Sequence, residues 1–494
     1  MRRVWGLIAL LLYTYCLAAA ANTVPPRALT RETKYYVRAV WLTTVHGLDW
    51  PKCKADTPRG VAQQKKDLDN LLDKLRLAGI NTVYLQVRGR GDLLYPSQIE
   101  PISPTMAFPG KQPLYDPLRY AVNACHSRGM RIIAWLVTLP LGNKKYIERL
   151  GNKAYAYTHK KKCVCFRGEW YMDPAAMETS THLSEICKEI VCNYSVDGIH
   201  LDYIRYPDKA ERFPDNKVYT QSKTSFSLLE WRKNNINTLV ETVSQQVKQI
   251  NNTLEVSAAP LGKYRKLPAY PTVGWTALES VNQDPIIWGT KKWVDAIVPM
   301  MYYKDNLFYP FLQDWLTLTP MPIIVGLGAY QLLPNEGNWN ASDLIKQVDY
   351  LSKEPKVQGV CYFRAEQVVN PNIGLYSYLV EQNKKLPALP LAPKDTLKLI
   401  QPEYLEVNRV GDSLEISWVA KSTFPCSYTI YHAVGNDLNL QKDLYAITQH
   451  TRIKIPLDKL DKNELHYFAV GVYRLRDGSE GITPTAVYYY RDSI

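Results

Sequence analysis

Residues 196–207 read VDGIHLDYIRYP, a short apolar run that begins at Gly198 and ends at Asp202, immediately before a loop. Side chains alternate between the two faces of a strand, so His200 and Asp202 share one face and the aliphatic residues beside them share the other. This arrangement is typical of a parallel barrel strand, whose outer face packs on helices and whose carboxyl end carries chemistry. Asp202 is therefore the first candidate for a catalytic residue, and we predict that His200 is buried and hydrogen-bonded.

Short β-branched runs alternate with amphipathic helical stretches between Tyr35 and about Val380. Eight strands are predicted: Val37 to Thr43, Thr82 to Val87, Arg131 to Leu136, Gly198 to Asp202, Glu255 to Ala258, Ala296 to Met300, Ile323 to Gly326 and Gly359 to Phe363. A stripe of leucines predicts the first helix from Gln63 to Ala78, ending at Gly79. The repeated βα units predict the fold class α/β, a (β/α)8 TIM barrel over residues 35–383.

The composition changes after the predicted barrel. Residues 384–398 are rich in proline, which predicts a semi-rigid linker. Short alternating segments over residues 399–494, with a hairpin turn at Asp477-Gly478, predict a small all-β sandwich. The positions of Trp418 and Tyr467 resemble those of a fibronectin type III domain, for which we expect a spacer or docking role without chemistry.

The amino-terminal segment predicts export. Residues 1–21 carry two arginines, an apolar run and four alanines, which is typical of a signal peptide and indicates an exported protein. We expect no lipoprotein anchor at Cys16, because Tyr15 is too bulky for a lipid-attachment site. No later run of about 18 apolar residues exists, so no transmembrane segment is predicted.

The charge and the cysteines limit the partners. The formal net charge of +13 suits an anionic polymer or a membrane surface, although a solvated, lysine-rich surface explains it equally well. No segment resembles a nucleic-acid-binding module. Cys163 and Cys165 are too close for a usual disulfide or a C-x-x-C site, and the other cysteines show no ligand spacing. We therefore predict no metal and no cofactor.

Polar residues follow the second predicted strand. Alternation puts Tyr84, Gln86 and Arg88 on the barrel side, and the next loop brings Arg90 and Asp92 to the rim. Two glycines among these charges are consistent with backbone that approaches a ligand closely. A tight turn in which Asp92 pairs with Arg90 explains them as well.

Other strand ends add carboxylates and aromatic rings to the same rim. The additional candidates for substrate binding or catalysis are Arg205, Tyr206, Tyr264, Tyr303, Asp305, Trp339 and Glu366. Aromatic faces stack on sugar rings, and paired carboxylates supply an acid together with a base or nucleophile, as glycoside hydrolysis requires. For Asp202, an ion pair with Arg205 is the structural alternative.

Five ordered segments carry a family resemblance. They are residues 37–44, residues 85–97 with LQVR, GD and YPS, residues 198–207, Gln283-Asp284-Pro285 and residues 295–302. Together they resemble the glycosyl-hydrolase-like family 10, the former domain of unknown function 187. The resemblance implies a secreted or periplasmic bacterial (β/α)8 glycosidase-like protein. It also implies peptidoglycan glycan strands without stem peptides as a substrate of some members. Asp202 lies inside the clearest motif, whereas Asp305 and Glu366 lie outside the matched segments.

These observations predict an exported glycoside hydrolase of a cell-wall or extracellular polysaccharide, most of all peptidoglycan glycan strands. We expect Asp202 to be the nucleophile or base and Glu366 or Asp92 to be the acid, with Arg88, Arg205 and Tyr303 orienting the substrate. The alternative is a non-catalytic carbohydrate-binding or cell-surface docking protein on a degenerate barrel. Such a protein would keep the aromatic rim but lack two carboxylates across one cleft.

Overall fold

A computed structural model describes residues 33–108, 110–270, 274–319, 321–393, 401–435 and 437–490. The predicted signal peptide, with Cys16, and residues 394–398 of the predicted linker lie outside these residues. The described residues belong to one compact unit, in which a barrel precedes a group of antiparallel sheets.

Eight parallel strands close into a barrel, as predicted. They are β1 (Val37–Leu42), β2 (Thr82–Arg88), β3 (Arg131–Val137), β4 (Gly198–Asp202), β5 (Glu255–Ala258), β6 (Ala296–Ile297), β7 (Ile323–Leu327) and β8 (Val357–Phe363). Each strand pairs with its neighbour in the chain, and β8 pairs with β1, where Trp41 lies opposite Phe363. The carboxyl ends of all eight strands therefore meet at one end of the barrel.

One main helix follows each strand on the outside of the barrel. These helices are α1 (Pro58–Leu77), α2 (Pro117–His126), α3 (Met177–Asn193), α4 (Leu228–Ile250), α5 (Pro285–Thr290), α6 (Tyr309–Leu318), α7 (Ala341–Leu351) and α8 (Leu375–Lys385). Helix α1 begins after Thr57, whose Oγ1 accepts a hydrogen bond from the Gly60 amide at 3.1 Å. The chain leaves α1 through Gly79 at φ +75°, a conformation that favours glycine. The (β/α)8 fold class is confirmed.

The apolar side chains of the barrel strands form two layers, one inside the barrel and one outside it. The inward side chains form a small core around Trp41, Tyr84 and Ile133, while the outward ones pack on the helices. His200 lies at the centre of the inner layer and has no exposed surface. Its Nε2 accepts a hydrogen bond from Trp41 Nε1 at 3.1 Å, and its Nδ1 contacts Ser257 Oγ at 3.0 Å. Burial lowers the pKa of His200 to about 3, so this side chain is a neutral part of the packing.

An inserted sheet between β3 and α3 was not anticipated from the sequence. Its three short strands are Pro140–Asn143, Cys163–Phe166 and Glu169–Met172, all antiparallel. Two short helices, Lys144–Leu150 and Tyr155–Thr158, connect the first strand to the second. The insertion follows the carboxyl end of β3, so it forms a wall at the barrel mouth.

The carboxyl-terminal region is all-β. One sheet contains Glu403–Val410, Ser413–Val419 and Arg452–Pro456, and the other contains Cys426–Val434, Leu444–Thr448, Leu465–Arg474, Glu480–Ile482 and Ala486–Tyr489. Leu414, Ile430 and Phe468 belong to one buried core. Gly478 stands in the hairpin turn at φ +75°. The antiparallel sheets were predicted, whereas the fibronectin type III class and the domain boundaries stay predictions. Among the described helices, none combines the length and the apolar character needed to cross a bilayer.

Candidate active site

A cleft of about 520 Å³ opens at the carboxyl ends of the barrel strands. Six aromatic residues line it, namely Trp41, Trp135, Tyr171, Tyr203, Tyr302 and Phe363. Three carboxylates also line it: Asp202 from the end of β4, Asp208 from the following loop and Glu169 from the inserted sheet. The cleft therefore combines apolar ring faces with acidic groups, the two components that sugar binding and glycosidic bond cleavage use.

Three of these rings, those of Trp41, Tyr302 and Phe363, pack against one another. Tyr302 stacks on Phe363 with ring centroids 5.6 Å apart, and Trp41 meets both rings edge-on at 6.3 and 6.2 Å. Because these three rings fix one another, this part of the cleft presents a rigid apolar surface.

Asp202 is held by two hydrogen bonds at the base of the cleft. Its Oδ1 accepts from the Tyr203 amide at 2.7 Å, and its Oδ2 accepts from Trp135 Nε1 at 3.1 Å. Tyr203 adopts a left-handed conformation at φ +50°, which turns the chain sharply after the carboxylate. Among the described residues no cation lies within ion-pair distance of Asp202, so a direct pair with Arg205 is not found, although the Arg205 charge acts on Asp202.

The environment of Asp202 favours its protonated form. Burial raises the pKa of this carboxyl to about 6, against the opposing effects of the Arg205 charge and of the hydrogen bonds from Tyr203 and Trp135. A carboxyl group with this pKa exchanges a proton readily near neutral pH, as a general acid or base must. A raised pKa suits an acid, whereas the sequence analysis expects Asp202 to be the nucleophile or base, a role that calls for an ordinary pKa.

The other two carboxylates of the cleft are paired with arginines but remain open to solvent. Glu169 lies 3.9 Å from Arg90, and its side chain is 38% exposed. Asp208 is held more tightly, since Arg167 Nη1 donates to its Oδ2 at 2.7 Å. The sequence reasoning missed both residues. Asp208 directly follows the Tyr206-Pro207 motif, but Glu169 belongs to an insertion that the strand pattern did not reveal.

Arg88 lies away from the cleft, and the expectation that it faces the barrel interior is wrong. The pairing of β2 with β3 is irregular between Gln86 and Arg88, which breaks the alternation of faces. The Arg88 guanidinium is fully buried and donates to Glu100 Oε1 at 2.6 Å and to Glu100 Oε2 at 2.8 Å. It therefore stabilises the loop after β2, whereas Gln86 lines the cleft.

Asp92 and Glu366, the two expected acids, do not line the cleft that contains Asp202. Asp92 is buried in its own loop, where it accepts from the Arg90 amide at 2.7 Å and from the Tyr146 hydroxyl at 3.0 Å. The hydrogen bond to the Arg90 backbone fits the tight-turn interpretation. Glu366 is half-exposed and lies 3.0 Å from Arg364 and 3.3 Å from Lys52.

The structure places the aromatic candidates mostly in structural contacts. Tyr206 is fully buried, and its hydroxyl accepts from Asn235 at 3.1 Å. The Tyr264 hydroxyl donates to Asp284 at 3.1 Å. Tyr303 packs under the ammonium of Lys263 at 4.6 Å, so its neighbour Tyr302 is the tyrosine that lines the cleft.

Three further candidates also lie outside the cleft lining. Arg205 is buried and stacks on the Tyr203 ring at 4.6 Å, close enough for its charge to act on Asp202. Asp305 is exposed. Trp339 is half-buried, and the Lys304 ammonium lies over its ring, 5.5 Å from the ring centre.

A buried, protonatable carboxyl beside stacked aromatic rings at the mouth of a (β/α)8 barrel is the arrangement of a glycosidase-type enzyme. The sequence comparison agrees: the family model described as glycosyl hydrolase-like 10 matches residues 36–329, and the chain belongs to this family. The prediction of a glycoside hydrolase is thus confirmed at the level of the family and enzyme class.

Two curated relatives and one solved structure illustrate the similarity. The chain is 30% identical over 386 residues to glycosyl hydrolase DigH of Escherichia coli K12, covering 71% of this chain and 88% of that protein. It is 26% identical over 475 residues to glycosyl hydrolase YngK of Bacillus subtilis, covering 90% of each. The alpha-L-fucosidase isoenzyme 2 from Paenibacillus thiaminolyticus aligns with a TM-score of 0.47 and 13% identity, over 70% of this chain and 48% of that chain.

Proposed function

We propose that this protein is an exported enzyme that hydrolyses the glycan strands of peptidoglycan, with Asp202 transferring the proton. The observation that carries the proposal is the buried Asp202 carboxyl, with its pKa of about 6, at the base of an aromatic cleft. In its protonated form, Asp202 donates to the leaving glycosidic oxygen as the sugar develops oxocarbenium character.

Glu169 is the proposed second carboxylate. It lines the same cleft as Asp202, and its loose 3.9 Å pairing with Arg90 leaves its oxygens free to act on the anomeric carbon or on a water molecule. Asp208 also lines the cleft, but its 2.7 Å bond to Arg167 favours a supporting role. Asp92 and Glu366 do not line the cleft, so we do not assign the role of the acid to either of them.

The substrate and the location are argued from charge and from the sequence. The formal net charge of +13 favours an anionic polymer, and peptidoglycan strands without stem peptides carry a free carboxylate on each muramic acid. The predicted signal peptide at residues 1–21 is consistent with a substrate outside the cytoplasm.

The test is incubation of the purified protein with a panel of glycans. The panel contains peptidoglycan strands without stem peptides, intact peptidoglycan, chitin oligosaccharides and an α-glucan, and new reducing ends are measured by mass spectrometry. We expect the peptide-free strands to be cleaved fastest. Cleavage of another glycan alone would reject the proposed substrate. Tight binding without new reducing ends from any glycan would favour the non-catalytic carbohydrate-binding alternative.

A further inference from the structure

A second cavity, here called the basic pocket, lies next to the cleft and has a volume of about 320 Å³. Three of its lining side chains are basic: Lys52, Lys54 and Arg149. The structure describes every lining residue of this pocket, and none of them is an aspartate or a glutamate. The cavity is therefore suited to an anion.

The basic pocket and the cleft share a wall at the barrel mouth. Val45 lines the cleft, while the next residue in the chain, His46, lines the basic pocket. A second connection runs through Asp92, which accepts hydrogen bonds from Tyr146 of the basic pocket and from the amide of Arg90 in the cleft. The two cavities are therefore adjacent at the barrel mouth.

Two of the three cations have no carboxylate partner among the described residues. Lys52 lies 3.3 Å from Glu366 and donates to the Leu48 carbonyl at 2.6 Å. Lys54 donates to the Pro104 carbonyl, but in the described part of the chain no carboxylate lies within ion-pair distance of Lys54 or Arg149. Burial and the nearby Arg149 charge lower the pKa of the Lys54 ammonium, against the opposing effect of Asp56. These two cations repel each other in the absence of an anion.

We propose that the basic pocket binds a carboxylate on the glycan that the cleft holds, with Lys54 and Arg149 as its ligands. This inference rests on the proposed function, because peptide-free peptidoglycan strands carry that carboxylate on every second sugar. Arg149 supplies the planar pair of donors that fits a carboxylate, and Lys54 supplies a point charge. The basic pocket then makes the enzyme selective for strands whose carboxylates are free.

The test compares two substrates that differ only in charge. One is the peptide-free glycan strand with its free lactyl carboxylates, and the other is the same strand after its carboxyl groups have been converted to carboxamides. For the wild-type protein, we expect kcat/KM on the carboxylate form to exceed that on the amide form by about fivefold or more, the effect of a partly exposed charge pair. This ratio should fall as salt is added, because salt screens such pairs.

The variants Lys54→Gln and Arg149→Gln test whether the preference for the carboxylate form arises in the basic pocket. Each should lower the ratio towards one by reducing kcat/KM on the carboxylate form. Lys353→Gln is the matched control, since it removes one positive charge from an exposed site just before β8, at the other end of the barrel. The control should keep the wild-type ratio, and an equal loss in the control would overturn the assignment by showing a general charge effect.

A binding measurement separates this inference from the proposed function. Calorimetric titration of Asp202→Asn with oligosaccharides of both forms reports charge selectivity even where no bond is broken. If Asp202→Asn binds the carboxylate form preferentially and Asp202→Asn/Arg149→Gln does not, the result supports the basic pocket. This conclusion holds whether or not the wild type cleaves the strand. Equal affinity of Asp202→Asn for the two forms overturns the proposal that the basic pocket binds a carboxylate. The proposed function would still stand if the wild type cleaved both forms.

Discussion

At the residue scale, the chemistry depends on how burial acts on Asp202. Its pKa of about 6 results from burial, which outweighs the Arg205 charge and two hydrogen bonds. The active form of a general acid is the protonated one, so kcat/KM should decline as the pH rises through about 6. The measurement is the pH profile of kcat/KM on the preferred glycan, and a flat profile between pH 5 and about 8 would contradict this role.

The Trp135 hydrogen bond provides a second prediction at this scale. Trp135 Nε1 donates to Asp202 Oδ2 at 3.1 Å and lowers the pKa of the carboxyl. The variant Trp135→Phe removes the donor, so the alkaline limb of the pH profile should move to higher pH. Trp50→Phe is a suitable control, because the Trp50 Nε1 bonds the Gln64 carbonyl instead. If the alkaline limb of the pH profile stayed in place or moved to lower pH, the Trp135 hydrogen bond would not lower the pKa of Asp202.

The contribution of Asp202 to stability should fall over the same pH range as the activity. The raised pKa of folded Asp202 means that its protonated form stabilises the fold fully below its usual pKa of 3.8, and this contribution is lost as the pH rises through about 6. The free energy of unfolding of Asp202→Asn relative to wild type should therefore increase by on the order of 2 kcal/mol between pH 4 and pH 7. Urea titrations at both pH values measure it. A pH-independent difference would contradict the assignment.

The sequence predicted Asp202 because its position follows from one strand and the loop after it. Tyr303 was expected at the cleft, but the alternation of faces continues beyond β6, so Met300 and Tyr302 point inward. Arg88 was misplaced for the related reason that a local irregularity in β2 cannot be seen in the residue pattern. A shift of one residue along a strand changes the face of every side chain after it.

At the element scale, the loop after β2 is fixed by a buried ion pair. Burial alone would raise the pKa of Glu100, but the Arg88 charge and hydrogen bonds from His182 and Arg88 outweigh it and lower the pKa to about 2. Both side chains of the pair are fully buried. The variant Glu100→Gln leaves the Arg88 charge without its partner and should lower the free energy of unfolding by about 3 kcal/mol.

Urea titration at neutral pH measures this loss, with Glu148→Gln as the control. Glu148 is half-exposed and lies 3.9 Å from Lys144, so its loss should cost about 0.5 kcal/mol or less. Equal effects of the two substitutions would mean that the buried pair contributes no more than a surface pair.

The inserted sheet shows the limit of prediction for elements. Each of its strands has four residues, and Cys163–Phe166 offers too short a pattern to distinguish a strand from a loop. Because the sequence does not reveal this sheet, it also does not reveal Glu169, which the sheet places in the lining of the cleft. The long helices and the buried strands were predictable, since their apolar periodicity extends over many residues.

At the scale of the whole molecule, the segment before β1 joins the barrel to the carboxyl-terminal sheets. Lys34 Nζ lies 2.6 Å from Glu480, and both side chains are buried. The variant Lys34→Met leaves the Glu480 carboxylate unpaired and should destabilise this contact by about 3 kcal/mol. We expect the sheets to become sensitive to limited proteolysis at lower urea than the barrel.

The control is Lys385→Met, which removes an exposed pair with Glu381 at 2.8 Å. It should leave the proteolysis pattern unchanged. If Lys34→Met also kept the wild-type pattern, the ion pair would not be what couples the sheets to the barrel. The sequence predicted the order of the two regions but not this contact, which joins residues far apart in the chain.

The central claim is that glycosidic bond cleavage needs the carboxyl group of Asp202. The direct measurement is the rate at which wild type, Asp202→Asn and the control Asp67→Asn release reducing ends from the preferred glycan. Asp202→Asn keeps the side-chain shape but has no proton of suitable pKa to donate, so we predict a loss of at least about 100-fold with the control unaffected. A rate for Asp202→Asn within a few-fold of the wild type would contradict the account.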